Sequence, residues 1–166
     1  RGAVSGEGQP VAAPPRTVRT ERGAAVVAAA RQIVEADGDD ALTMRRLAED
    51  LGIKAPSLYK HFADKAALEV ALIEDALFEM GEALHAAIAR PGRRSPTAAL
   101  LGAYRRQAVA HPNLSRLATA GPLARDALAP GVEDWAGQPF YLVTGDPHTA
   151  HESRLPMTTP LWRSRA

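Results

Sequence analysis

Cysteine is absent from all 166 residues of the chain. Disulfide frameworks and Cys-ligated zinc or iron–sulfur sites are therefore excluded. Long apolar runs are missing too. Nothing approaches the roughly 18 residues that a membrane-spanning helix needs, and the Arg-bearing start has no apolar signal-peptide core. Aromatic residues make up only 5%, and β-branched residues are scarce, which argues against strands. Lysine is nearly missing. Of 20 basic residues, three are lysines, Lys54, Lys60 and Lys65, and all fall in one short stretch. A net charge of +1 advertises no polyanionic partner, although a basic face can hide inside a neutral total. The expectation is a soluble, cytoplasmic protein of one domain or two small ones, too short for a large α/β enzyme.

What is abundant is alanine, 34 residues of 166, and alanine is the best helix former. The chain reads as all-α. Residues 1–18 hold three glycines and three prolines with almost no bulky apolar side chain, a composition that cannot repay ordering entropy. They are expected to form a disordered basic arm, in which Arg16 and Arg19 (and Arg22 just beyond) either reach a partner's backbone or belong to a solvated tail. The chain opens on Arg1 with its first methionine at Met44, so an earlier start is expected to be missing or processed. Apolar residues recur at Val26, Val27, Ala30, Ile33 and Val34, the spacing of an amphipathic helix, and Gly38 is expected to close it as a left-handed cap. Thr43 caps a second helix ending near Gly52. Pro56 suits the first turn of a third. Asp64 caps a long fourth helix to about Ala89, and Ser95-Pro96 starts a fifth that His111-Pro112 stops. Shorter pieces follow around 113–120 and 123–128, then a segment after Pro130-Gly131.

Three short helices with a glycine turn between the second and third match the helix-turn-helix plan, in which two helices hold a third against the DNA major groove. Residues outside the core suit that task. Arg45 and Arg46 start the second helix, while Ser57, Tyr59, Lys60 and His61 lie along the third and Lys65 begins the fourth. Hydroxyls, a phenol and cations are the donors that phosphates and purine edges accept. Ala55 and Pro56 are small enough to let backbone approach a groove wall.

The stretch from Thr43 to Phe62, TMRRLAEDLGIKAPSLYKHF, followed by Asp64-Lys65, resembles the DNA-binding domain of the TetR family, the tetracycline-repressor-like regulators. Residues 100–150 are similar, more weakly, to the effector-binding body of one branch. The resemblance implies an N-terminal helix-turn-helix head over 19–65 and a helical ligand-binding and dimerisation body over 66–150; the body is left incomplete, and residues 151–166 read as an irregular tail. It implies that Arg45, Ala55, Pro56, Ser57 and Tyr59 face bases or the groove, and that Thr43, Tyr59, Lys60, His61 and Lys65 grip phosphates. It also implies a homodimer on a palindromic double-stranded operator, released by a small-molecule effector.

Each of these residues also has a plainer reading. Tyr59 is partly a packing residue, and His61 suits capping nearly as well as phosphate contact. In the body, Phe78, Tyr104, Trp135, Phe140 and Tyr141 are the ligand-pocket candidates, though aromatics at helical spacing are more often core. His85 and His111 read as structural. His148 and His151 stand at a metal-like spacing but lack carboxylate support, so neither metal nor cofactor is expected. No Gly-rich phosphate loop, nucleophile elbow or HExxH motif is present, so no enzyme is expected. The adjacent acids Asp39-Asp40, Glu49-Asp50, Glu74-Asp75 and Glu133-Asp134 read as solvated faces, because neighbours on a helix diverge.

After Asp146-Pro147 the pattern departs from the resemblance. Where a relative continues with two long helices, Pro156 and Pro160 interrupt any helical stripe. Two expectations stand side by side: a ligand-responsive dimeric repressor with a shortened body, or a truncated or frame-shifted remnant acting as a weak DNA-binding module.

Overall fold

The computed structural model describes residues 12–120 and 125–145. Among the described residues there are seven α-helices, two short 3₁₀ turns and no strand, as the composition implies. The expectations for residues 1–11, for Asp146-Pro147, His148 and His151, and for the tail at 151–166 lie outside the described residues.

Local chemistry sets most helix starts. In α1 (Glu21–Asp37) the Thr20 hydroxyl accepts from the Gly23 amide at 3.1 Å. In α2 (Met44–Asp50) Thr43 accepts from the Arg46 amide at 3.1 Å. Pro56 occupies the first turn of α3 (Ala55–Tyr59), where a missing N–H costs nothing. Asp64 caps α4 (Lys65–Ala89) through the Ala67 amide at 2.8 Å, and Ser95 caps α5 (Pro96–Ala110) through Ala98 at 3.2 Å. Two further helices follow, α6 (Pro112–Ala120) and α7 (Val132–Thr144).

Two details correct the sequence reading. Gly38 does end α1, but at φ +87° and ψ 171° it lies in the mirror-extended region rather than the left-handed helical one. Glycine alone takes that conformation without strain. Of the short piece expected around 123–128, the described residues 125–128 hold a 3₁₀ turn, Arg125–Ala127, and no α-helix.

The packing is continuous from the first helices into the body. Val26, Ala30 and Val34 of α1, Leu47 of α2, Leu58 of α3, Leu68 and Leu72 of α4, Leu114 of α6, and Val132 and Trp135 of α7 belong to one buried cluster. A smaller cluster of Leu84, Leu100 and Ala103 gathers Tyr104, Phe140 and Val143 against the far end of α4. The long α4 is thus the shared spine. Its first turn closes the helix-turn-helix and its remainder supports α5, α6 and α7.

Helix α7 contains Pro139 in its interior. A proline there supplies no N–H, so the carbonyl four residues earlier, that of Trp135, loses its helical donor. His85 of α4 fills the gap: its Nε2 lies 3.0 Å from that oxygen, which requires the tautomer carrying hydrogen on Nε2. The imidazole also stacks on the Trp135 ring, with centroids 5.1 Å apart at 17°. Beneath the indole sits Gly81, where an added Cβ would fall 2.5 Å from Trp135 Cζ3. Glycine is required at that close approach.

Candidate nucleic-acid interface

Helix α3 is short, and its hold on the molecule is Leu58, which is fully buried. Gly52, at φ +63°, makes the turn that sets α3 across α2, and the Ile53 amide donates to the Ala48 carbonyl at 3.0 Å to fix it. With Leu58 pointing in, the rest of the helix is presented outward. Pro56, Lys60 and Lys54 are exposed, Ala55 and Ser57 are half-buried, and Tyr59 is 51% exposed. For a phenol beside a fully buried leucine that exposure is large.

The flanking candidates divide by what already holds them. Thr43 is exposed while its hydroxyl caps α2. Arg45 is the most open of the guanidinium groups on α2, its side chain 89% exposed, and its Nε donates to Glu49 at 2.9 Å. The Glu49 carboxylate raises the Arg45 pKa further above its ordinary value. Arg46 is turned away and pairs with Asp37 of α1. Lys65 is half-buried: its Nζ donates to the Asp39 carbonyl at 3.0 Å and pairs with Glu69 at 3.2 Å. It therefore ties α4 to the turn after α1 as well as adding positive charge near α3. His61 is half-buried just past α3, where its amide donates to the Leu58 carbonyl at 2.8 Å.

The arm residues behave differently from the sequence reading. Residues 12–20 have no regular secondary structure, yet their polar side chains grip α4. Arg16 reaches Glu82 at 2.8 Å and lies over the Phe78 ring, 4.9 Å from its centroid. Arg19 forks onto Asp75 at 2.8 and 3.0 Å and donates to the Ala71 carbonyl at 3.2 Å. An open groove of about 480 Å³ runs between this strap, the end of α3 and α4, with Thr17, Arg19, Lys60, His61 and Glu74 among its walls.

Glu74 overturns the reading of Glu74-Asp75 as a solvated pair. It is only 6% exposed, because the strap covers a flank of α4 that helical periodicity alone assigns to solvent. The one signal in the sequence was the arm's basic residues, which read equally well as reaching outward.

The aromatic candidates fall into two groups. Phe78 and Trp135 are buried against each other, with centroids 5.5 Å apart. Tyr104 and Phe140 meet edge-on at 5.8 Å in the smaller cluster, and Tyr141 is half-buried near the end of α7. His111 Nδ1 lies 3.6 Å from Glu35, at the joint between α1 and α6. Among the described residues no three His, Asp or Glu side chains gather as a metal site, and no helix is long and apolar enough to cross a membrane.

Residues 26–72 match the sequence model for bacterial regulatory proteins of the tetR family. The chain is 48% identical over 54 residues to the class A tetracycline repressor protein from transposon 1721 of Escherichia coli, a match covering 32% of this chain and 25% of that protein. It is 37% identical over 100 residues to an HTH-type transcriptional regulator of Saccharopolyspora erythraea, covering 60% of this chain and 41% of the relative. The chain thus spans between a quarter and two fifths of the length of these relatives. A solved protein of unknown function from Rhodococcus sp. RHA1 is similar in fold, with a TM-score of 0.61 and 32% identity over 75% of this chain and 64% of that one.

Proposed function

We propose that the chain is a regulator of the tetR family, whose sequence model its residues 26–72 match, and that it binds DNA sequence-specifically as a transcriptional repressor released by a small-molecule effector. The observation that carries the reading is the outward face of α3. A five-residue helix anchored by one buried leucine offers Pro56, Ser57, Tyr59 and Lys60 to a partner, which suits insertion into a major groove. Arg45 and Tyr59, with Ala55, Pro56 and Ser57 alongside, are assigned to bases and the groove wall. Thr43, Lys60, His61 and Lys65 are assigned to phosphates, with Tyr59 able to serve both.

One such head makes few contacts, and phosphate contacts alone give salt-sensitive, sequence-independent affinity. The reading therefore includes a homodimer on a palindromic operator. For the effector, the half-buried Tyr104, Phe140 and Tyr141 are better placed than Phe78 and Trp135, whose rings already fill the core.

Selection of bound sequences from a random duplex pool tests the proposal. A two-fold symmetric motif should be enriched. Recovery of no motif after several rounds would contradict sequence-specific reading.

A further inference from the structure

We propose that Glu74 is a latch joining the segment before α7 to the N-terminal strap, so that release of either loosens the other. Its carboxylate is held from two sides by segments far apart in sequence. Oε2 accepts from the Thr17 hydroxyl at 2.9 Å and lies 3.5 Å from the Arg19 guanidinium. Oε1 accepts from the Ala129 amide at 2.7 Å. A carboxylate this deeply buried is tolerable only while its partners stay in place, so withdrawal of one donor weakens the arrangement that orients the other.

Each side leads to an element with a larger role. Ala129 stands just before Gly131, at φ +80°, and its carbonyl accepts from the first amide of α7, Val132, at 3.2 Å. A shift of α7 therefore pulls on the Ala129 amide. On the other side, Thr17 and Arg19 lead directly into Thr20, the cap of α1. Helix α1 packs against α2 and α4 in the main cluster. The latch thus links the start of α7 to the cap of α1 through one side chain on the α4 spine, and the link does not depend on whether α3 reads DNA.

Hydrogen exchange on the full chain, with and without Thr17→Val, tests the latch. Thr17 is exposed and far from Ala129 in sequence, so the substitution leaves the cores intact. The latch predicts that amides of residues 125–131 exchange about two- to tenfold faster in the variant, the range expected for groups that share a partner. Amides in the interior of α5 should keep their rates. Glu74→Gln, which keeps the side chain's size, should accelerate both the strap and residues 125–131. Acceleration confined to the strap in Thr17→Val, or equal acceleration in every helix, would overturn the proposal.

Discussion

Glu79 of α4 and Arg31 of α1 form a two-pronged ion pair, with Arg31 Nη2 donating to Oε2 at 2.6 Å and Nη1 to Oε1. The Arg31 hydrogen bonds hold the Glu79 pKa below its ordinary value of 4.5, against an opposing effect of burial. A carboxyl group whose pKa is lower in the folded state adds stability that is fully present above its unfolded value. That stability is lost as pH falls through the lower folded value. With the Glu79 side chain 36% exposed, solvent screening limits the effect to under about 1 kcal/mol. Urea unfolding of the wild type and Glu79→Gln should therefore differ modestly at pH 7 and converge as the pH drops below 4.5. A gap that stays constant to pH 3 would contradict this account. Glu79 and Glu74 also mark what the sequence leaves unread at this scale. Both look like solvated acids in a one-dimensional pattern, and their partners, Arg31, Thr17 and Ala129, are brought to them only by tertiary packing.

Helix boundaries were largely legible, because capping is local. Thr20, Thr43, Asp64 and Ser95 each lie next to the helix they start, and each makes its cap bond three residues ahead. Helix α7 was not legible in the same way. Pro139 argues against a helix, and what permits one is His85, fifty residues before the carbonyl it serves. If His85 replaces the donor that Pro139 lacks, His85→Ala should cost about 1–3 kcal/mol by leaving a buried carbonyl unpaired. In a Pro139→Ala background, the restored amide at 139 can donate to Trp135 instead. The cost of His85→Ala should then shrink to the loss of ring stacking. Denaturant unfolding of the four proteins gives the coupling directly, and strictly additive losses would mean that His85 is only a packing residue.

For the whole molecule, a net charge of +1 conceals a strong asymmetry. Carboxylates at positions 74, 75, 79 and 82 of α4 absorb Arg16, Arg19 and Arg31, whereas Lys54 and Lys60 remain exposed around α3. The candidate interface was readable in outline because α3 and the two residues after it, Ala55 to His61, are contiguous in the sequence. The body was less so. Its aromatics were legible as a group, but which of them fill the core depends on the approach of α7 to Gly81, a contact no local pattern encodes. The central claim is that the outward face of α3 reads base sequence. Its most direct test is equilibrium binding, at physiological salt, of the wild type and Tyr59→Ala to the selected duplex and to a scrambled duplex of equal length. The wild type should prefer the selected duplex by about a thousandfold or more. Tyr59→Ala should reduce that preference by about tenfold or more, with its helical circular dichroism retained. A variant that keeps the wild-type preference would contradict the claim.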